Sequence, residues 1–425
     1  MKPHDHEFTC KVISLAVELF RKGLGYKQIE SVFEALEPYL SKKGPSDSVI
    51  RQWMMRMGFF KLHEPLPDGE WMMLGDVTVD IGTIKCLITL AVDINMLHER
   101  GDYTLSSRDL VIAGIHPTEC SNGEFAYQAF QDGVKRLGGI DAVIGLVIDQ
   151  GSDVKKGASL LQKANAKIKV LYDIPHKLSL VLEKELKNEE SWIAYTQQLT
   201  KTKQLVQQTE LAALQPPNQR SKARFMNAAL YVKWPDKILQ AKADGNLDGI
   251  PEERYQEYFG WLSGYSSSLL LWRQKIGVVE MVKETVREHG LSEDAYNYLL
   301  TEVAEMPLEK EVEAFTCDVF TAISEEVEKL DEGQILPIST EIVESTFGSY
   351  KYHSAKGGHG ITGNSLTIGV LVGKKPTLEE ICQALEATPV NKMLKWVNEK
   401  VGNTLSKMRN KFFSKNKFDS EPATV

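Results

Sequence analysis

Cysteine is scarce and scattered: five thiols stand at positions 10, 86, 120, 317 and 382, with no C-x-x-C pair. That spacing argues against a disulfide framework or a structural zinc site. Long apolar runs are missing as well. None approaches the roughly 18 residues that span a bilayer, and the opening MKPHDHEFTC lacks the apolar core of a signal peptide, so a cytoplasmic location is expected. There is no internal repeat and no low-complexity tract. Nor is there an excess of positive charge, since 50 Lys and Arg face 58 Asp and Glu for a formal net charge of -8. The total speaks against nucleic acid, but it averages over unlike segments: about +3 in residues 1–63, about -11 in 281–335 and about +7 in 391–418. What is present is ordinary for soluble protein, 42% hydrophobic and 25% charged over 425 residues. That length exceeds one small core, and two or three domains are expected.

Residues 1–63 read as three helices. Phe8 to Phe20 places Val12, Leu15, Ala16 and Leu19 at helical spacing and stops at Lys22-Gly23; Tyr26 to Leu36 follows; Lys42-Lys43-Gly44-Pro45 breaks the chain, and Ser46 caps a third helix through Met57. This is a helix-turn-helix pattern. Val49, Ile50, Trp53 and Met57 are expected to form the buried stripe of the third helix, leaving Ser48, Arg51, Gln52 and Arg56 to meet a major groove. A small helical bundle with a solvated polar face has the same pattern. A Pro-containing linker, residues 63–68, ends the unit.

From Glu70 the period becomes extended. Trp71 to Val79 and Lys85 to Ile94 are β-rich runs joined by Gly82-Thr83, a hairpin signal, and Leu110 to Ile115 makes a third strand. Ser121 and Glu124 form a capping-box pattern opening a helix that closes at Gly138-Gly139. Residues 142–148 are apolar throughout, as a strand buried on both faces should be. A short helix (155–163), a fifth strand (168–172) and a helix from His176 follow, so antiparallel strands lead into parallel ones. Residues 189–335 are helical in pattern, with loops at 215–218, 245–251 and 289–290, and read as an insertion. A helix from Ile342 to Tyr350, a Gly-rich stretch and a basic end with Trp396, Phe412 and Phe413 complete the chain.

Three acids stand out by their surroundings. Asp76 lies inside the first strand, where an ionised group is costly to bury unless paired or metal-bound, although a Gly-Asp pair also suits a bulge or an edge. Asp149 closes the apolar fourth strand and begins a Gly-rich turn; sites collect at the carboxyl ends of sheet strands, and Asp there is also a common cap or turn former. Glu344 lies on the later helix in line with Gly348 and Lys351, while Val343, Phe347 and Tyr350 pack inward. A Gly at 348 admits a close backbone, and Lys351 can reach a phosphate; a solvated Glu-Lys face reads the same way. Acids in one strand, at the end of another and on a later helix match the arrangement of an RNase H-like core. Three carboxylates at one sheet edge can hold two divalent cations about 4 Å apart, and oxygen ligands favour magnesium or manganese.

With these residues the sequence resembles the DDE-type transposases of bacterial insertion sequences over most of its length. The resemblance rests on the helix-turn-helix, the Gly-Asp-Val-Thr-Val-Asp-Ile-Gly strand and turn before Lys85-Cys-Leu, Asp149-Gln-Gly-Ser-Asp, Tyr172-Asp-Ile-Pro-His-Lys177, and Glu344-Ser-Thr-Phe-Gly-Ser-Tyr-Lys351. One departure concerns the Tyr and Arg that some branches place seven and four residues before the Glu: Pro337 and Thr340 stand there. The resemblance implies a multidomain α/β protein. Residues 1–66 would be a helix-turn-helix domain, 67–188 the first part of an RNase H-like core, 189–335 an all-helical insertion, 336–380 the rest of the core, and 381–425 a basic tail. It implies Asp76, Asp149 and Glu344 as catalytic metal ligands for two magnesium or manganese ions, in preference to Asp80, Asp153, Asp173 or Glu341. The expected DNA contacts are Ser48, Arg51, Gln52, Arg56, His176, Arg220, Lys222, Arg224, Lys351 and Lys356, with His176 equally suited to a cap or core position. Phe225, Tyr231 and Trp234 follow the Arg220–Arg224 cluster and would suit DNA backbone or unstacked bases, although a solvated face has the same pattern. The implied activity is cleavage at the element end and joining of the 3′-hydroxyl to target DNA, by a dimer or larger oligomer on double-stranded DNA, nucleoid-associated and away from membranes. The alternatives are a transposase-derived DNA-binding regulator without catalysis and a metal-dependent nuclease without strand transfer.

Overall fold

A computed structural model describes residues 1–40, 43–79, 82–219, 225–247, 249–354, 360–402 and 404–415. The chain is a mixed α/β protein with a five-stranded mixed sheet, divided into two units: Met1–Leu171 with Ser339–Val425, and Tyr172–Ile338. Among the described residues no helix is long and apolar enough to cross a membrane.

The first unit begins with α1 (Cys10–Arg21), α2 (Tyr26–Leu40) and α3 (Asp47–His63). Ser46 does cap α3, accepting from the Val49 N–H. The stripes differ from expectation. In α1 the buried residues are Cys10, Ile13, Ala16, Val17 and Phe20, with Leu15 exposed. In α3 an unbroken run from Trp53 to Phe59 is buried, together with Ile50 and Leu62.

The sheet follows: β1 (Trp71–Val79), β2 (Lys85–Asp93), α4 (Ile94–Arg100), β3 (Leu110–Thr118), α5 (Gly123–Arg136), β4 (Val143–Ile148), α6 (Ser152–Ala164) and β5 (Lys169–Tyr172). Its strand order is β3-β2-β1-β4-β5, with β1, β2 and β3 antiparallel neighbours and β4 parallel to β1. All of β2 between its end residues is buried, and β4 is buried at all but one position, which is why their sequences run apolar rather than alternating. The cap of α5 is Asn122, whose side chain accepts from Phe125 N–H, so the Ser121–Glu124 box is corrected by one residue. Helix α4 falls between β2 and β3, where no helix was expected; Asp93 caps it by accepting from Asn95 N–H.

The second unit holds α7 (Ile174–Leu186), α8 (Glu190–Val206), α9 (Ala228–Ala243), α10 (Glu252–Phe259), α11 (Ser266–His289), α12 (Glu293–Glu305) and α13 (Lys310–Val327). It starts at Tyr172 rather than near 189, because α7 packs on α11 and α13. Lys177 of α7 reaches Glu325 and the buried Glu326 at 2.7 Å each, and Glu326 also accepts from Lys329 and from Tyr172 N–H. An aromatic centre fills the interior, with the Trp272 ring 4.9 Å from Trp192 and 5.0 Å from Tyr195 between centroids. Besides its helices this unit has only an isolated antiparallel bridge, Leu291 to Leu336, among the described residues.

The first unit resumes with α14 (Glu341–Ser354), a 3₁₀ turn (Gly363–Thr367), α15 (Ile368–Leu371), α16 (Leu378–Ala387), α17 (Val390–Lys400) and α18 (Leu405–Lys415). The 3₁₀ turn and α15, α16 and α17 pack on α3, and α16 also packs on α1. Residues 1–66 are therefore not a free-standing module. Their helices share one core with α15, α16 and α17.

Candidate active site

The parallel pairing of β1 with β4 sets two of the three acids. Gly75 lies opposite Ile148, and one step further along both strands stand Asp76 and Asp149. Adjacent strands are about 4.8 Å apart, which sets Asp76, within β1, and Asp149, the first residue after β4, each one step past the last pair of the ladder. The pairing is visible in the side chains: a Cβ at Gly145 would meet the Met72 sulfur across the ladder, and one at Gly75 would lie 3.6 Å from Ile148. The face of β1 carrying Met73 and Gly75 is covered by Phe130 and Gly133 of α5, which places Asp76 on the other face.

Both acids are half-buried. Asp76 Oδ1 accepts from its neighbour Val77 N–H at 2.6 Å, and Asp149 Oδ1 accepts from Gly151 N–H at 3.1 Å. Gly151 is the N-cap of α6, so the Asp149 carboxylate sits at the positive end of that helix, where an anion is favoured.

Glu344 is carried by α14, which packs beside β1 in the same unit. Val343, Phe347 and Tyr350 are buried as expected, Glu344 and Gly348 are exposed, and Lys351 is half-buried. Among the described residues nothing lies within 4 Å of a Cβ built at Gly348. Among the described residues no three acidic, histidine or cysteine side chains are gathered into one ion-binding group. The structure thus places Asp76 and Asp149 one residue past the last β1–β4 pair, and Glu344 on the exposed face of its helix. The two aspartates present oxygen donors of the kind that hard divalent cations take.

At the far end of α14, His353 stacks on Phe20 of α1 at 4.0 Å between ring centres, and burial pushes its imidazole down to about 4.

The expected DNA contacts fare unequally. Ser48 and Arg51 are exposed on the first turn of α3 and Gln52 is half-buried; Arg51 Nε donates to Asn364 Oδ1 at 2.8 Å. Arg56 must be corrected. It is 7% exposed, and its guanidinium donates to the carbonyls of Thr388 (2.7 Å) and Leu385 and lies 3.0 Å from His6 Nε2. It closes the end of α16 rather than facing a groove. His176, in the second unit, is held by the α7 cap: Asp173 Oδ1 accepts from its N–H at 2.7 Å and contacts its Nδ1 at 3.0 Å. Tyr231 and Trp234 are buried in the second unit and Phe225 stacks with Trp192, so these aromatics are core and do not offer faces to bases. Arg220, Lys222, Arg224, Lys356 and the competing Asp80 lie outside the described residues.

Sequence reasoning missed the structural arginines. Arg136 of α5 donates to the carbonyls of Ile112, Glu64 and Lys61, and Arg21 donates to those of Val370 and Gly373. Each ties distant chain segments, and no local pattern announces such a contact.

Compared with known proteins, the chain matches no protein-family model and no curated protein.

Proposed function

We propose that the chain is a DDE-type DNA transposase with an RNase H-like core, cutting a phosphodiester at an element end and joining the freed 3′-hydroxyl to target DNA. One observation supports the reading: the β1–β4 ladder ends at Gly75–Ile148, one residue before Asp76 of β1 and before Asp149, which follows β4. The strand order β3-β2-β1-β4-β5, an antiparallel meander followed by β4 parallel to β1, supports it, as does a third acid on a helix packed beside β1.

Asp76 and Asp149 would hold magnesium or manganese through carboxylate oxygens, with Glu344 the third ligand. Bound there, the ions supply Lewis acidity to the attacking and leaving oxygens of the phosphodiester. The chain's own part is to hold Asp76 and Asp149 about one strand spacing apart and to present Lys351 near the phosphates. Lys351 lies about 10 Å beyond Glu344 along the helix axis at 1.5 Å per residue, where its ammonium orients the backbone without moving a proton.

The test is full-length protein with magnesium or manganese and labelled element ends. Cleavage and joining by wild type, lost in Asp76→Asn, Asp149→Asn and Glu344→Gln with end binding retained, is the expected result. Cleavage without joining would favour the nuclease. Binding with neither would favour the regulator, and full activity in any one variant would remove that carboxylate from the site.

A further inference from the structure

At the opposite end of the sheet from the aspartates lies a cleft of about 750 Å³ in the first unit, built where α1, the loop before β3 and the loop after α15 meet. Leu110, the first residue of β3, pairs with Val92, which pairs with Met72, and Asp76 is four residues further along β1. At about 3.3 Å per residue the cleft rim is on the order of 13 Å or more from the aspartates along the strands.

Its walls carry Arg21, Lys22, Arg108, Lys374 and Lys375 against Glu18 and Asp109. The acids are already engaged: Glu18 by Lys375 at 2.5 Å and Lys22 at 3.4 Å, Asp109 by Arg100 at 3.1 Å. Arg21, Arg108 and Lys374 have no carboxylate partner among the described residues. Their positions are built in. Gly373 N–H donates to Ser107 O at 2.7 Å, which clamps the two loops and sets the next residue of each, Lys374 and Arg108, side by side. Arg21 holds the same loop by donating to the carbonyls of Val370 and Gly373 at 2.7 Å each. Burial, and then the charge of Arg108, push the Arg21 guanidinium below its usual range.

We infer that this cleft holds the phosphate backbone of a duplex DNA segment other than the one at Asp76 and Asp149. Clustered, exposed and preset cations over an open cleft suit successive phosphates, and a net-negative chain gains most by confining its positive field to such a place. The choice of DNA as the source of phosphate rests on the proposed function.

The test uses the full chain with Arg108→Ala/Lys374→Ala, both exposed and without ion pairs among the described residues, so the described fold does not depend on them. A random-sequence duplex is titrated by fluorescence anisotropy from about 0.05 to 0.2 M salt, and inorganic tripolyphosphate is titrated separately. We expect duplex affinity to fall on the order of tens of fold near 0.1 M salt, with the salt slope reduced by about two. Arg108→Lys should restore most of one unit of slope. An unchanged slope and affinity would overturn the inference. So would loss of tripolyphosphate binding with duplex binding intact, which would make the cleft a site for free polyphosphate. Failure of the catalytic reading shows elsewhere, as metal-dependent cleavage indifferent to Asp149→Asn, and leaves the salt slope as a separate result.

Discussion

Arg56→Ala decides whether the N-terminal helices are a separate DNA reader or part of the core. Its guanidinium lies 7% exposed and serves the carbonyls of Leu385 and Thr388, the unpaired end of α16, where positive charge is also favoured by the helix dipole. Truncation leaves two buried acceptors unmet, at about 1–3 kcal/mol each, and a void the size of the side chain. A loss of about 3–5 kcal/mol is expected, equivalent to a fall in Tm of roughly 10 °C for a unit of this size. Arg56→Lys should fall between the two, since one ammonium cannot serve both carbonyls as a planar fork does. Thermal unfolding by circular dichroism measures this, with duplex binding at 20 °C as the companion assay. An Arg56→Ala protein that melts as wild type but binds duplex tenfold more weakly would refute the placement and return Arg56 to the DNA face.

Three further outcomes are expected. Gly58→Ala would put a Cβ 1.8 Å from the Leu366 carbonyl oxygen, a backbone atom that cannot step aside, so a loss of about 2–4 kcal/mol should appear in denaturant unfolding, and a neutral result would show that α3 and the 3₁₀ turn do not touch. Residues 1–66 expressed alone should give helix content but no cooperative melting transition, because the faces covering α3 come from residues beyond 360; a sharp transition would restore the independent domain. Burial lowers His116 and His353 from 6.5 to about 4, so the unfolded chain binds protons that the folded one refuses: their contribution is full above pH 6.5 and is lost as pH falls toward 4, at up to about 1.4 kcal/mol per pH unit for each. His353→Phe should take one proton's slope off the fall in stability between pH 6.5 and 4.5, and parallel curves for variant and wild type would contradict the burial.

The strands were legible because β2 and β4 are buried nearly throughout and their apolar runs say so, and Asp149 was legible as the residue ending such a run. The inward face of α14 was legible from Val343, Phe347 and Tyr350. The covering of α3 is also written locally: Trp53, Met54, Met55, Met57 and Phe59 are too many apolar residues for one stripe, and a helix apolar all round is a buried one. What covers it was not legible, since its partners lie some 300 residues away, and neither was Arg56, whose partners are backbone carbonyls of no particular sequence. The unit boundary at Tyr172 was hidden for a related reason. Leu178, Leu182 and Leu186 announce an amphipathic helix, but not whether its apolar side meets the sheet or, as found, α11 and α13.

The pairing of Asp76 with Asp149 depends on one irregularity that no sequence period displays. Trp71 lies opposite Val143, yet Met72 lies opposite Gly145, so β4 spends an extra residue, Ile144, at the start of the ladder. Without that step every later pair would slip by one, and Asp76 would face Ile148 while Asp149 faced Val77. Because side chains alternate between faces, such a slip would send the two carboxylates to opposite sides of the sheet. A bulge re-aims the side chains beyond it, and here it lies some four residues before the aspartates, far enough to leave the pairs Met72–Gly145 to Gly75–Ile148 regular and close enough to set their phase. The glycine at 145 fits this role. A Cβ there would stand 2.6 Å from the Met72 sulfur and 3.2 Å from the Lys169 carbonyl oxygen on β5, so the position has little room for any side chain in this register. The site's spacing is thus set by the packing of a bulge and a glycine beneath it, on residues with no chemistry of their own.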